Sequence, residues 1–319
     1  MYNIAIIGAG NIGCRHLQGL VSLEFPVMVD IVDPSPSALE ACLSKFEGIS
    51  RSGNKILVKV HRIIEEIANN IDLAIVATNS DVRAMAIKEI LTEKDVSAFL
   101  LEKLLFDKED DYYTISKMLC EKNIPAWVNC NLRATDVFRI LKRGIDPQKG
   151  LELNIEGKGW EMGCVAIHFI DLFVYITGKK EYEIDKMEVR FFESKRKGFQ
   201  EISGSIRIRN SIGVLEMNCA DSKTVSHTVT IKNGDNKQEL SGWSGEITVK
   251  SSQDQSSKIT HTRIPYISET SGNIAQNIIQ KSQCLLPSYS ESMNIHVPFV
   301  RKITDIYSQR TGLKRCPIT

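Results

Sequence analysis

The sequence predicts an α/β protein of two domains: an open parallel sheet layered with helices over residues 1–125, and an α+β domain with a large, mainly antiparallel open sheet over residues 126–319. Three observations carry this expectation. Short apolar strands alternate with helical patterns in the first third of the chain, glycines recur as GxGxxG directly after the first apolar run, and later period-2 segments follow one another without helices between them. With 319 residues, 42% of them hydrophobic and 25% charged, the chain can bury two cores without crosslinks.

Taken in order, strands are expected at Asn3 to Ile7, Val27 to Val32, Ile56 to Val60, Leu73 to Ala77, Ala98 to Leu101 and Ala126 to Asn129. Helices fit between them, the rhythm of a parallel sheet covered on both faces. One helix start is signalled by Ser37 and, three residues on, Glu40, which read as a capping box after the turn "DPSP". After about Cys130 the rhythm changes. Helical patterns at Thr135 to Arg143 and Gly163 to Thr177 precede "KMEVRFF", "SGSIRIRN", "GVLEMNC", "HTVTIKN", "GEITVKS" and "KITHTRI". Strands in such succession, separated by Gly, Asn and Ser, form an antiparallel sheet. Helical patterns resume at Asn273 to Gln283 and Ser290 to Arg310. Alternation places Ile and Val on at least one face of the sheet. With one face on the domain's own helices, the other is expected to meet a second subunit in a homodimer or homotetramer.

Composition removes several function classes. Lys plus Arg is 40 and Asp plus Glu is 39, so a formal charge of +1 gives no bulk electrostatic reason to expect nucleic acid or an anionic membrane. The eight cysteines are scattered, with no CxxC pair and no His cluster at zinc spacing, which argues against a metal site and a disulfide framework and for a reduced, cytoplasmic setting. No apolar run approaches the roughly 20 residues of a membrane span, and the N-terminus enters a strand at once, so no export is expected. Small molecules or further copies of the chain are the expected partners.

The strongest local motif is "MYNIAIIGAGNIGCRHL", where Gly8, Gly10 and Gly13 stand between a strand and a helix, as a Rossmann dinucleotide-binding turn requires. Gly8 permits the tight turn, Gly10 lets a pyrophosphate approach the backbone, and Gly13 lets helix and strand pack closely. The helix N-terminus at Asn11 and Ile12 supplies amide donors. The second strand ends at Asp33, 20 residues beyond Gly13, the right distance for a carboxylate to accept hydrogen bonds from an adenosine ribose. With no Arg directly after it, Asp33 favours NAD, while NADP stays open through Ser35, Ser37 or Arg51. Asp30 is a weaker ribose candidate. Past the fourth strand, Thr78 and Asn79 are placed to touch the cofactor and Ser80 or Asp81 to start a helix, although Asn79 and Ser80 read equally well as cap and turn residues. Past the fifth strand, inside "FLLEKLLF", come Glu102 and Lys103. Ligands of open α/β sheets bind beyond the strands' carboxyl ends, so this ion pair falls at the cofactor crevice.

The combination of GxGxxG with "VATNSD", "LLEKLL", "CNLRATDVFRILK", "CVAIHFIDLFVYITG" and "LLPSYSESMNIHVPF" resembles the glucose-fructose oxidoreductase, inositol dehydrogenase and rhizopine-catabolism (Gfo/Idh/MocA) oxidoreductase family, in order and over nearly the whole chain. The resemblance implies an NAD(P)-dependent dehydrogenase in which Glu102 and Lys103 face the cofactor. It makes Lys103 and His168 the acid/base pair, with Asp171 as companion. His168 and Asp171, at i and i+3, share a helix face. The chemistry suits these types, because a positioned proton carrier is worth about 10²- to 10⁴-fold in moving a hydride to or from an alcohol carbon. The sequence departs from the family where Leu104 replaces a proline after Lys103, where Cys164 stands in place of an acid, and where Tyr175 stands in place of a histidine. The stretch between Arg133 and His168 is short, which implies an open site able to take a large ligand. The substrate contacts expected are Lys103, Arg133, Trp160, His168 and Tyr175, with Glu161 and Asn131 as further polyol partners and Arg139 and Lys142 as partners for a phosphate or carboxylate. The expected substrate is a carbohydrate, oxidised at a hydroxyl or reduced at a keto group; the narrower expectation is a nucleotide-linked sugar in surface-polysaccharide synthesis. A cofactor-binding regulator of the same fold, an NAD-assisted glycosidase and an S-adenosylmethionine-dependent methyltransferase are the alternatives.

Overall fold

The computed structural model describes residues 1–49, 56–241, 247–253 and 256–318. Contacts divide the chain into two compact units, Met1–Asn129 with Pro265–Ser290, and Cys130–Ile264 with Glu291–Thr319.

The first unit contains β1 (Tyr2–Ile7), α1 (Asn11–Gly19), β2 (Val27–Val32), α2 (Pro36–Glu47), β3 (Ile56–His61), β4 (Asn70–Ile71), β5 (Leu73–Val76), α3 (Ser80–Glu93), β6 (Asp95–Val96), β7 (Phe99–Leu101), α4 (Glu109–Glu121) and β8 (Ala126–Val128). Its main sheet runs β3-β2-β1-β5-β7-β8 with every pair parallel, and β4 pairs with β6 in a small separate sheet. Because both faces are covered, the central strands are apolar without alternation: Ile4 to Ile7, Leu73 to Val76 and Phe99 to Leu101 are all buried. The strand order reverses between β1 and β5, which opens a crevice at the carboxyl ends of these strands.

The expected six strands are all present, within a residue or two at each end. Two local readings are corrected. The cap of α2 is Ser35, whose Oγ accepts from the Ala38 amide at 3.3 Å, rather than Ser37 with Glu40. Pro36 decides this, since proline is preorganised for the first helical position and so puts the cap one residue earlier. The boundary expected at 125/126 also moves. The unit includes Asn129 and a later helix, α7 (Ile267–Lys281), because Ser271 Oγ meets His16 Nδ1 at 2.8 Å and the Val128 amide donates to the Pro287 carbonyl at 3.0 Å. Helix α7 starts six residues before the expected Asn273, where the Glu269 carboxylate returns to the Tyr266 amide at 2.7 Å in a capping box.

The second unit contains α5 (Asp136–Arg143), β9 (Leu151–Lys158), α6 (Met162–Thr177), β10 (Glu183–Glu193), β11 (Gln200–Arg209), β12 (Gly213–Ala220), β13 (Ser226–Asn233), β14 (Asn236–Ser241), β15 (Ile247–Gln253) and β16 (Ser256–Thr262), and most of α8 (Tyr289–Thr311). Eight strands form one sheet in the order β10-β11-β12-β9-β13-β14-β15-β16, antiparallel except where β9 lies parallel to β12. Strand β9 is absent from the expected list, yet it occupies the centre of the sheet. It stands alone in sequence before α6, so no neighbouring strand pattern announces it. Residues 245–246 of the expected "GEITVKS" strand lie outside the described residues.

One face of this sheet is aliphatic. Ile206, Met217, Ile155, Val229 and Leu240 stand opposite one another across five strands, all buried, and α6 packs on β11 and β12. The other face is polar. It carries Asn154 and Thr230, and ion pairs such as Arg207 with Glu216 at 3.3 Å and Arg209 with Asp185 at 2.8 Å. Among the described residues no helix is long and apolar enough to cross a membrane.

Candidate functional site

In the first unit the glycine-rich turn has the geometry its sequence predicts. Gly8 has φ +102°, a region L side chains avoid. A Cβ on Gly13 would lie 1.8 Å from the Gly8 carbonyl oxygen, so α1 packs directly on the turn only because Gly13 has no side chain. Asp33 is pinned to the same turn, accepting from the Ala9 amide at 2.8 Å and the Ser35 amide at 2.9 Å. Gly10 is exposed and offers no side chain to cap α1, and Asn11 is exposed beside it. At the end of β5, Thr78 Oγ1 is buried without a hydrogen-bond partner, and Asn79 caps α3 with no side-chain bond to the helix. An orphaned buried hydroxyl beside an open glycine turn and an anchored carboxylate fits a dinucleotide that completes the hydrogen bonding. Asp30, the weaker ribose candidate, is instead 5% exposed and committed to His61 Nε2 at 2.9 Å and the Ala68 amide at 3.1 Å. Arg51 lies outside the described residues.

The segment after β7 is the most constrained part of this unit. From Ala98 to Asp107 every residue is buried except Lys103. Glu102, 6% exposed, accepts from Asn129 Nδ2 at 2.6 Å and contacts His16 Nε2 at 3.0 Å. A carboxylate can only accept, so the Nε2 proton of His16 donates to it. Burial would raise the Glu102 carboxyl, but the hydrogen bond and charge of His16, the Asn129 amide and the nearby Lys103 outweigh it and hold the group below its ordinary range. On the other side of Lys103, the buried Arg83 donates to the Leu105 carbonyl at 2.8 Å and also to the carbonyls of Leu104 and Thr78. The Lys103–Leu104 peptide bond is cis.

His16, Asn129, Ser271 and Arg83 were not identified from sequence. Arg83 had a legible signal, because it shares a helix stripe with the buried Ile87 and Ile90 of α3, where a cation must find internal acceptors.

In the second unit Arg133 and Asp171 are brought together. Arg133 Nε donates to Asp171 Oδ2 at 2.7 Å and Nη2 to Oδ1 at 2.5 Å, while Nη1 lies 3.5 Å from Glu291. Burial opposes the Arg133 charge, but Asp171 and then Glu291 hold it protonated. Burial pushes the Asp171 carboxyl up to about 6, with Arg133 opposing and Glu291 adding to the push. Side-chain exposures of 6% and 1% make Arg133 and Asp171 a buried pair bonded to each other. Tyr175, four residues after Asp171, has Lys142 Nζ 3.7 Å from its ring centroid and the Arg133 guanidinium at 5.3 Å. His168 is half-buried on α6.

Trp160 is packed within the second unit. It is 3% exposed, its indole N–H donates to the Asn218 carbonyl at 3.0 Å, and its ring packs edge-on to Phe169. A large aromatic with its polar tip already bonded has the surroundings of a core residue. Glu161 pairs with Lys195 at 2.6 Å and Arg139 with Asp136 at 3.1 Å. Among the described residues no group of three or more His, Cys, Asp and Glu side chains is arranged to hold a metal ion.

Residues 2–129 match the model of the oxidoreductase family with an NAD-binding Rossmann fold, GFO_IDH_MocA. The chain carries the NAD-binding domain of this oxidoreductase family. Solved structures extend the likeness in fold across both units. A dehydrogenase, MviM, from Clostridium difficile is 15% identical with a TM-score of 0.71, over 96% of this chain and 99% of its own. The UDP-N-acetylglucosamine 3-dehydrogenase GnnA from Acidithiobacillus ferrooxidans is 10% identical with a TM-score of 0.71, over 94% and 95%. The 3-ketoreductase KijD10 from Actinomadura kijaniata, in complex with TDP-benzene and NADP, is 11% identical with a TM-score of 0.68, over 92% and 94%. No curated protein matches the sequence. The glycine turn, Asp33 and Thr78 all lie within the residues that this family model matches.

Proposed function

We propose that this oxidoreductase moves a hydride between nicotinamide and a hydroxyl or keto carbon of a sugar derivative, with Lys103 giving or taking the proton at the reacting oxygen. The observation that carries the reading is that Lys103 alone escapes burial in the segment 98–107, at the carboxyl end of β7 in an NAD-binding fold. Main-chain amides of Gly8, Gly10, Asn11, Ile12 and Gly13 would hold the pyrophosphate and Asp33 a ribose, with Thr78, Asn79 and Glu102 lining the rest of the cofactor site. When bound, the nicotinamide supplies or accepts the hydride. Lys103 carries the proton, a task suited to an ammonium with three exchangeable protons. In the second unit His168 is the proposed contact for the substrate oxygen, and the Arg133–Asp171 pair fixes the helix that carries it. Tyr175 and Lys142 are proposed as its neighbours on the substrate side.

Two of the similar structures favour a nucleotide-linked sugar: GnnA is a UDP-N-acetylglucosamine 3-dehydrogenase, and KijD10 is a 3-ketoreductase seen with TDP-benzene and NADP. Anchoring of Asp33 on the glycine turn favours NAD over NADP, because a 2′-phosphate would meet a carboxylate. We further propose a homodimer or homotetramer built through the sheet of the second unit, checked by light scattering, and a cytoplasmic setting, checked by cell fractionation.

The test is a titration with NADH, NADPH and S-adenosylmethionine by thermal shift, followed by NADH oxidation with a panel of keto-sugars and nucleotide-linked keto-sugars. Stabilisation by NADH and turnover of a panel member are expected. Binding of NADH with no turnover across the panel would favour a regulator, and stabilisation by S-adenosylmethionine alone would favour a methyltransferase.

A further inference from the structure

Lys103 is followed by Leu104 rather than by a residue whose own ring would fix the backbone, so something else must hold the turn that aims it. The structure supplies an anchor on each side. Before Lys103, the Glu102 carboxylate is tied to Asn129 at 2.6 Å and His16 at 3.0 Å. After it, the carbonyls of Leu104 and Leu105 both accept from Nη1 of Arg83, while Nη2 of the same guanidinium donates to the carbonyl of Thr78. Arg83 is 2% exposed, so these bonds are made away from competing water. One rigid fork therefore ties the loop after β7 to the loop after β5. These are the two loops that carry Lys103 and the orphaned Thr78 hydroxyl. A planar guanidinium can bridge three carbonyls at two separated nitrogens; a lysine ammonium or a glutamine amide cannot reproduce that spread.

We propose that Arg83 is a positioning residue for the reaction: it fixes the Lys103–Leu105 turn and couples it to the Thr78 loop, taking the place of a turn-fixing residue at position 104. The inference rests on the reading of Lys103 as the proton carrier beside bound nicotinamide. Removing Arg83 leaves the turn intact in sequence but free to shift, and a displacement of about 1 Å in a catalytic group costs about 10²-fold in rate.

The experiment compares wild type, Arg83→Gln and Arg83→Lys. Reductive methylation with isotope-labelled methyl groups gives each lysine an NMR signal, and the Lys103 signal is the one missing from Lys103→Met. In wild type, saturating NADH is expected to shift the Lys103 signal. In Arg83→Gln that shift is lost although NADH still quenches the protein's fluorescence, and turnover of the panel substrate falls about 100-fold in kcat with little change in KM. Arg83→Lys is expected to lie between the two, and if Arg83→Gln shows no cooperative thermal transition the same comparison on Arg83→Lys decides. An NADH-induced shift of full size in the folded Arg83 variants, with kcat retained, overturns the inference while leaving the proposed function standing. A wild-type Lys103 signal that ignores bound NADH overturns the Lys103 reading and the inference with it.

Discussion

Glu102 in the first unit and Asp171 in the second are both buried carboxylates with a basic partner, and their environments drive them in opposite directions. Around Glu102, a histidine, an amide and a lysine all favour the charged form, and the carboxyl sits below its ordinary range. Around Asp171, a bidentate arginine is opposed by complete burial and by the like charge of Glu291, and the carboxyl rises to about 6. The two clusters differ in what surrounds them. Near Glu102 the buried charges flank the half-buried Lys103. At Asp171 they satisfy one another and hold the 3-10 turn of Asn131–Ala134 against α6.

The largest effect that would break this comparison is on stability. Asp171→Asn strands the buried Arg133 charge and is expected to cost about 3–5 kcal/mol, read by chemical denaturation. A loss as small as that of an exposed ion pair would show that the second cluster is not a committed pair. Glu102→Gln is expected to cost less, about 1–3 kcal/mol, because Asn129 keeps a partner and only the charged component is lost. Its signature is in pH. The folded Glu102 carboxyl lies below its unfolded value near 4.5, so its contribution is fully present above that value and disappears as pH falls through the folded value. The difference between wild type and Glu102→Gln should therefore shrink below pH of about 4.5. For Asp171 the sign is reversed, and its stability contribution grows as pH falls from about 6 toward 3.8. Stability curves of the two variants with the same pH dependence would contradict the assignment. The smallest effect is at Trp160→Phe, where one buried hydrogen bond to Asn218 is lost, about 1 kcal/mol, with substrate KM unchanged. A large rise in KM would return Trp160 to the substrate site.

Much of the first unit was legible because parallel strands are continuous apolar runs and the glycine turn has one physical solution. Asp33 stands out in sequence by its distance from Gly13, and the structure adds that it accepts from the Ala9 amide. Lys103 was legible as a charge in an apolar run. Arg83, His16 and Ser271 were not, since a hydrogen bond between residues 16 and 271 leaves no local trace. In the second unit the spacing of His168 and Asp171 could not show that Arg133, 38 residues before Asp171, would bond to it. Strand β9 was missed for a related reason, as its partners β12 and β13 lie far ahead in sequence.

The central claim is that Lys103 is held accessible for chemistry rather than for stability. The direct measurement is Lys103→Met, followed by NADH oxidation on the substrate found in the panel and by thermal denaturation of the same sample. The account predicts a rate loss of about 10²- to 10⁴-fold with NADH affinity and midpoint unchanged. A variant that turns over at the wild-type rate, or that loses activity only because it no longer folds, would contradict it.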